Sequence, residues 1–113
     1  MANLNELTSI DAFEQVIASS SNRVQLLFKH SNACPISSDA FQQLKKHLSS
    51  DASPNVDYWL VTVQLNRDVS NRAAEQLGVV HESPQAIVIK DGKAVDHTSH
   101  FKITTDWLAS AVS

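Results

Sequence analysis

The sequence predicts an α/β fold: one mixed central sheet of four strands flanked by helices on both faces. Three observations carry that expectation. A strand–helix–strand unit fits residues 23–63, an Asp91-Gly92 pair separates two later strand-like runs, and helical and strand-like segments alternate along the chain. The first feature calls for parallel pairing with a right-handed crossover, and the second for an antiparallel hairpin. Alternation puts helices on both sides of the sheet.

Thr8 and Asp11 have the spacing of a capping box, and they open a helix that carries Phe13, Val16 and Ile17 on one face and is predicted to run to about Ala18. The polar cluster 19–22 breaks that pattern. A strand over 23–29 follows, whose Val24, Leu26, Leu27 and Phe28 put apolar groups on both faces, as interior strands do. From Pro35 the apolar residues Ile36, Ala40, Phe41, Leu44 and Leu48 fall at helical spacing, with Lys45, Lys46 and His47 toward the end that favours cations. A polar loop over 49–55 leads to a strand over 58–63. The next helix is predicted over 70–77, capped by Asp68 or Ser70 and stopped by Gly78, where a left-handed residue is wanted. A loop over 79–83 ends at Pro84. Strands over 85–90 and 93–98 flank the Asp91-Gly92 turn, and a last helix begins near Thr104 or Thr105 and buries Trp107, Leu108, Ala111 and Val112.

With 113 residues, 42% of them hydrophobic and 19% charged, the chain is long enough for one core and too short for two. A single domain over 1–113 is expected. The opening MANLNELTSID has neither a basic region nor an apolar stretch of the kind a signal peptide needs, and no run approaches the ~20 apolar residues that span a bilayer. A cytoplasmic protein without a membrane partner is therefore expected. One cysteine cannot close an internal disulfide and suits a reducing compartment. A net charge of −3 without a basic stripe argues against nucleic acid as a partner.

That cysteine, Cys34, stands where a strongly apolar strand gives way to a helix, and Pro35 follows it at the first helical position, where proline is tolerated. A helix N-terminus stabilises an anion, and a thiolate is one. Cys34 is thus the first candidate for chemistry, against the alternative of a small buried hydrophobe. His30, four residues earlier, either tunes the thiol or lies at the rim of the core. His81 and Glu82 either line a groove or are simply solvated. Arg67, Asp68, Ser70 and Asn71 open a helix and suit either the carboxylate of a small thiol or plain capping. Of the five histidines only His97 and His100 are close in sequence, and no second cysteine supplies a soft ligand, so no metal is expected. Trp59 and Trp107 read as core aromatics. No glycine-rich phosphate loop and no Ser-His-Asp spacing is present, which removes phosphoryl transfer and serine hydrolysis.

A cysteine that opens the helix after the first core strand, within this order of elements, resembles thioredoxin. The resemblance is closer to the monothiol bacilliredoxins of the YtxJ type: FKHSNACPIS at 28–37, RDVSN at 67–71, GVVHESPQ at 78–85 and SHFKIT at 99–104 are similar to that family's successive signature blocks. The resemblance implies a thioredoxin-like fold with Cys34 as attacking thiol. It puts Ser37 where dithiol thioredoxins keep a resolving cysteine, and makes Pro84 a cis-proline that faces Cys34 and presents the backbone of Ser83 to a substrate. Two departures stand out: no tryptophan precedes Cys34, and Phe28 occupies the place of the buried carboxylate of thioredoxins.

The expected activity is monothiol thiol–disulfide exchange, which removes a low-molecular-weight thiol from S-thiolated proteins. The resemblance names that thiol as bacillithiol, acting as co-substrate, with a recycling reductase as a further partner. Pro35, Ser37, Ser83, Pro84, His30 and Asp68 are the expected supporting residues. Two other functions fit the residues: a non-catalytic binding module in which Cys34 merely caps the helix, and a redox sensor that is S-thiolated at Cys34.

Overall fold

The computed structural model describes residues 3–112. Its elements are β1 (Leu4–Glu6), α1 (Ile10–Ser19), β2 (Val24–His30), α2 (Pro35–Ser50), β3 (Val56–Thr62), α3 (Arg67–Leu77), β4 (Gln85–Lys90), β5 (Lys93–Ser99), a short 3-10 turn (His100–Lys102) and α4 (Thr105–Ala111). The sheet has five strands in the order β1-β3-β2-β4-β5, one more than the sequence suggested. The extra strand is β1, which pairs parallel with the edge of β3. Its three residues include only one partly buried side chain, too little for any alternation to be legible.

β2 is the centre of the sheet, parallel to β3 on one side and antiparallel to β4 on the other. Five consecutive residues, Gln25 to Lys29, are fully buried. Its pleat divides the core. Leu26 and Phe28 pack under α2 and α4 with Leu44, Tyr58 and Leu108, while Leu27 joins Phe13, Val61, Val69 and Ile87 under α1 and α3. At the end of the strands away from Cys34, Gln25 is satisfied on both sides of its amide: Nε2 donates to Asp57 Oδ2 at 2.9 Å and Oε1 accepts from Trp59 Nε1 at 2.8 Å. Since Gln25 stands opposite Asp57 in the ladder, this amide reinforces the register of β2 on β3.

Three helix starts show how local chemistry was resolved. α1 is capped by Ser9, whose side chain accepts from Ala12 N–H, and not by the Thr8–Asp11 box. α3 starts at Arg67 after Asn66, ahead of both residues expected to cap it, and Asn66 gives no side-chain cap, its amide donating instead to the carbonyl of Thr8. α4 begins at Thr105, within the expected start, and is capped by Thr104, whose side chain accepts from the Trp107 N–H. Gly78 ends α3 at φ 67, and the β4–β5 turn has φ 52 at Asp91 and φ 76 at Gly92, the left-handed pair a two-residue hairpin turn requires. Trp107 is half-buried rather than fully buried, laid against the core from outside.

His47 is buried on α2 with Nε2 2.8 Å from Tyr58 Oη, which also accepts from the Ser53 N–H at 3.2 Å. Burial pushes His47 below the usual 6.5, with Asp51 opposing, and burial likewise lowers His30 and His81. The unfolded chain therefore takes up protons first as the pH falls. The stability owed to these neutral imidazoles is complete above 6.5 and is lost as the pH drops through their lower folded values. Urea unfolding followed by tryptophan fluorescence should show a midpoint that falls between about pH 7 and pH 5. In the same experiment Tyr58→Phe, which strands the Ser53 N–H and His47 Nε2, should cost about 1–3 kcal/mol.

Candidate functional site

Strand β2 ends at His30, and three residues later the chain turns into α2. Cys34 is the N-cap of that 16-residue helix, with φ −119 and ψ 121, and Pro35 supplies the first helical position. The Cys34 side chain is half-buried and its thiol is free. Its carbonyl accepts the first helical bond, from Ser38 N–H at 3.1 Å.

Ser37, one turn into α2, is fully buried. Its Oγ accepts from the Ser31 N–H at 2.9 Å and lies 2.8 Å from His30 Nδ1. The hydroxyl has one hydrogen to give. When Nδ1 is bare the hydrogen goes to His30; when Nδ1 carries a proton, His30 is the donor and Ser37 Oγ accepts. The His30 ring is packed against Phe41, with centroids 4.9 Å apart, and Lys45 Nζ lies 4.5 Å from the Phe41 ring centre. Burial first, and the Lys45 charge second, hold His30 below the ordinary histidine range.

The segment between β2 and α2 is tied from below by Gln64, a residue the sequence did not single out. Gln64 Nε2 donates to Ser31 Oγ at 2.7 Å and its Oε1 accepts from Asn32 N–H at 3.1 Å. Both halves of one amide thus pin the approach to Cys34, so the thiol sits on a braced turn.

The Ser83–Pro84 bond is cis. Pro84 is buried, Ser83 is half-buried, and the Pro84 carbonyl accepts from the His100 N–H at 3.0 Å. Lys29 stands opposite Gln85 in the β2–β4 ladder. One step further along, Pro84 comes beside His30, at the end of the sheet from which the Cys34 segment leaves. Asp68, by contrast, is exposed on the first turn of α3 and has no part in the His30–Ser37 pair.

Lys29 is the largest surprise. It is fully buried next to His30, and burial lowers its amine to about 8. The signal was present in the sequence as a lone charge inside the run LLFKH, but strand patterning says only which face a residue takes, not what will receive its charge. Among the described residues no group of three or more His, Cys, Asp or Glu side chains is placed to hold a metal ion, and no helix is long and apolar enough to cross a membrane.

With this geometry in hand, comparison with known proteins is specific. The fold matches thioredoxins at low identity: the thioredoxin of Malassezia sympodialis is 19% identical with a TM-score of 0.77, covering 99% of this chain and 90% of that one. The thioredoxin of Fasciola hepatica is 21% identical with a TM-score of 0.72, covering 96% and 95%. At these identities the likeness is one of fold. A solved structure described as a candidate oxidoreductase with a thioredoxin fold is 38% identical, with a TM-score of 0.84, covering 97% of this chain and 94% of that one. The family model of the monothiol bacilliredoxin BrxC matches residues 5–108, which include Cys34 and Pro84. The chain has a thioredoxin fold and belongs to the monothiol bacilliredoxin family.

Proposed function

We propose that the protein is a thiol–disulfide oxidoreductase that removes a low-molecular-weight thiol, bacillithiol, from S-thiolated proteins in the cytoplasm. One observation carries this reading above the others. The single cysteine is half-buried at the start of α2, while one turn later a buried serine, not a second thiol, occupies the resolving position.

In the first step the Cys34 thiolate attacks the small thiol's sulfur in the mixed disulfide. The bond from Cys34 Sγ to that sulfur forms as the bond to the protein sulfur breaks, and the protein thiolate leaves and takes up a proton. Ser37 has a hydroxyl that can hydrogen-bond sulfur but cannot displace it, so Cys34 keeps the small thiol. A second thiolate, from another small thiol or a recycling reductase, then attacks the small thiol's sulfur: a new disulfide forms between the attacker and the small thiol as the bond to Cys34 Sγ breaks, and the Cys34 thiolate is restored. Pro35 starts the helix, and Ser83 and Pro84 face the incoming disulfide. His30 orients Ser37, and Asp68 lies at the outer edge of the site.

The surroundings suit a substrate presented on a protein. A cleft along α2, lined by Ile36, Asp39 and Gln43 together with Phe101 and Thr104, measures about 200 Å³. That is less than the roughly 300–1,000 Å³ of pockets that enclose a small molecule. Leu65, Val80 and Phe101 are exposed by 73%, 84% and 72%, and all three lie in connections at this end of the sheet. Exposed apolar side chains around a nucleophile favour contact with another protein surface.

Mass spectrometry during turnover of a bacillithiolated protein should find one bacillithiol on Cys34, with a lifetime set by the concentration of added thiol. Cys34→Ala should abolish both the adduct and release. Release at the wild-type rate from Cys34→Ala would overturn the proposal in favour of a binding module. Ser37→Cys should shorten the life of the adduct and leave an internal disulfide that needs a reductase. It should also lower stability by about 1–3 kcal/mol, because the Ser31 N–H loses its acceptor.

A further inference from the structure

Behind the Ser83–Pro84 turn, on the sheet face away from Cys34, four side chains from different elements converge. Lys29 Nζ, from β2, donates to the Ser70 carbonyl of α3 at 3.0 Å and lies 3.3 Å from His81 Nδ1. Ser70 Oγ approaches the same Nδ1 at 3.3 Å. Gln85, the cross-strand neighbour of Lys29, donates from Nε2 to the Val80 carbonyl at 3.0 Å. Lys29, Ser70 and Gln85 are all fully buried. Two consecutive residues of the loop before Pro84 are thereby tied to the interior, Val80 by its carbonyl and His81 by Nδ1, although both residues are otherwise exposed, Val80 by 84%.

A single lone pair on His81 Nδ1 faces a lysine nitrogen and a serine hydroxyl. An imidazole can accept there only when Nδ1 is bare and its hydrogen is on Nε2. A proton on Nδ1 would point at a buried ammonium. The charged and titratable groups acting on His81 come from every side: Lys29 from β2, Arg67 from α3 and Glu82 from its own loop. Both cations oppose protonation, burial opposes it more, and only Glu82 favours it. When the proton does arrive it brings a third positive charge beside two existing ones, and the inward tie of the loop becomes a repulsion.

We propose that Lys29, Ser70 and Gln85 form a buried clamp that positions the Ser83–Pro84 turn beside Cys34 through His81 and Val80, and that a proton on His81 releases it. The inference rests on the assignment of Ser83 and Pro84 as the residues that face the disulfide. His81 is a positioning residue in this scheme. It touches no substrate, and the exchange step itself is unchanged.

The test must separate loop position from the thiolate fraction of Cys34. Two rates are measured at each pH: attack on a peptide whose cysteine is disulfide-bonded to bacillithiol, and alkylation by iodoacetamide. Both need the thiolate, so their ratio cancels it, and only the first needs the loop. The ratio should fall more than about threefold from pH 7 to pH 5 in the wild type, as for a step that needs one unprotonated group. It should be flat in His81→Asn, whose Oδ1 replaces Nδ1 as an acceptor at every pH. In NMR the Ser83 amide should titrate with the His81 ring, and Lys29→Met should raise the common midpoint toward 6.5. If Lys29→Met does not fold, His81→Asn decides alone. A flat wild-type ratio with exchange intact, or an unaltered profile in His81→Asn, would overturn the clamp and leave the oxidoreductase assignment standing. Normal alkylation with no exchange at any pH would remove that assignment, and the clamp with it.

Discussion

The whole arrangement depends on one strand being buried along its length. β2 has a hydrogen-bonded neighbour on each side and a helical layer on each face, so every side chain from Gln25 to Lys29 is denied water. Alternation then assigns the residues near its C-terminal end to opposite faces. Phe28 and His30 point to the α2 face, where His30 meets Ser37 and Phe41. Lys29 points the other way and meets Ser70 and His81. Two adjacent residues thus reach opposite faces of the sheet, His30 toward the first turn of α2 and Lys29 toward Ser70 and His81. A slip of one residue in the register of β2 would exchange them.

Burial also decides the electrostatics of this end of the sheet. Lys29, His30 and His81 are all driven toward their neutral forms, first by desolvation; the charge of Lys45 adds to this at His30, and those of Lys29 and Arg67 at His81. For Lys29, a fall from 10.5 to about 8 corresponds to roughly 3 kcal/mol of disfavoured charge. A buried methionine would carry no such penalty. What the lysine offers instead is direction: its donors can reach a helix carbonyl and a loop imidazole at once, which an apolar side chain cannot.

Much of the fold was legible because it rests on local rules. The αL stop at Gly78, the Asp91-Gly92 turn, Pro35 inside a helix start and the apolar runs of β2 and β4 each have a cause within a few residues. β1 was not legible, since three residues at a sheet edge carry no period and are held by pairing with β3 and by the packing of Leu4 alone among their side chains. The caps failed for a related reason. Ser9 and Thr8 are equally good caps in isolation, and Asn66 is taken by a carbonyl 58 residues away. The same limit applies to the site. Cys34, Pro35, Ser37 and Pro84 sit in a contiguous motif or beside a turn signal, whereas the contacts of Gln64 and Lys29 join segments that only the folded sheet brings together.

Phe28 connects the chemistry to the core. In the resemblance to thioredoxin this position holds a buried carboxylate, and here a fully buried phenylalanine stacks on both His30 and Phe41, with centroids 6.1 and 5.9 Å away. A carboxylate at such a place costs several kcal/mol of desolvation unless it is paired or has a proton to move. The proton it would move is that of a resolving cysteine, and this chain has Ser37 instead. Loss of the second thiol therefore removes the reason for a buried base. A phenylalanine at this position instead completes a three-ring cluster with His30 and Phe41. On the proposed monothiol route, the hydroxyl at Ser37 and the ring at Phe28 belong together: with a single thiol in the chain, resolution falls to an external thiol and no buried base is needed at position 28.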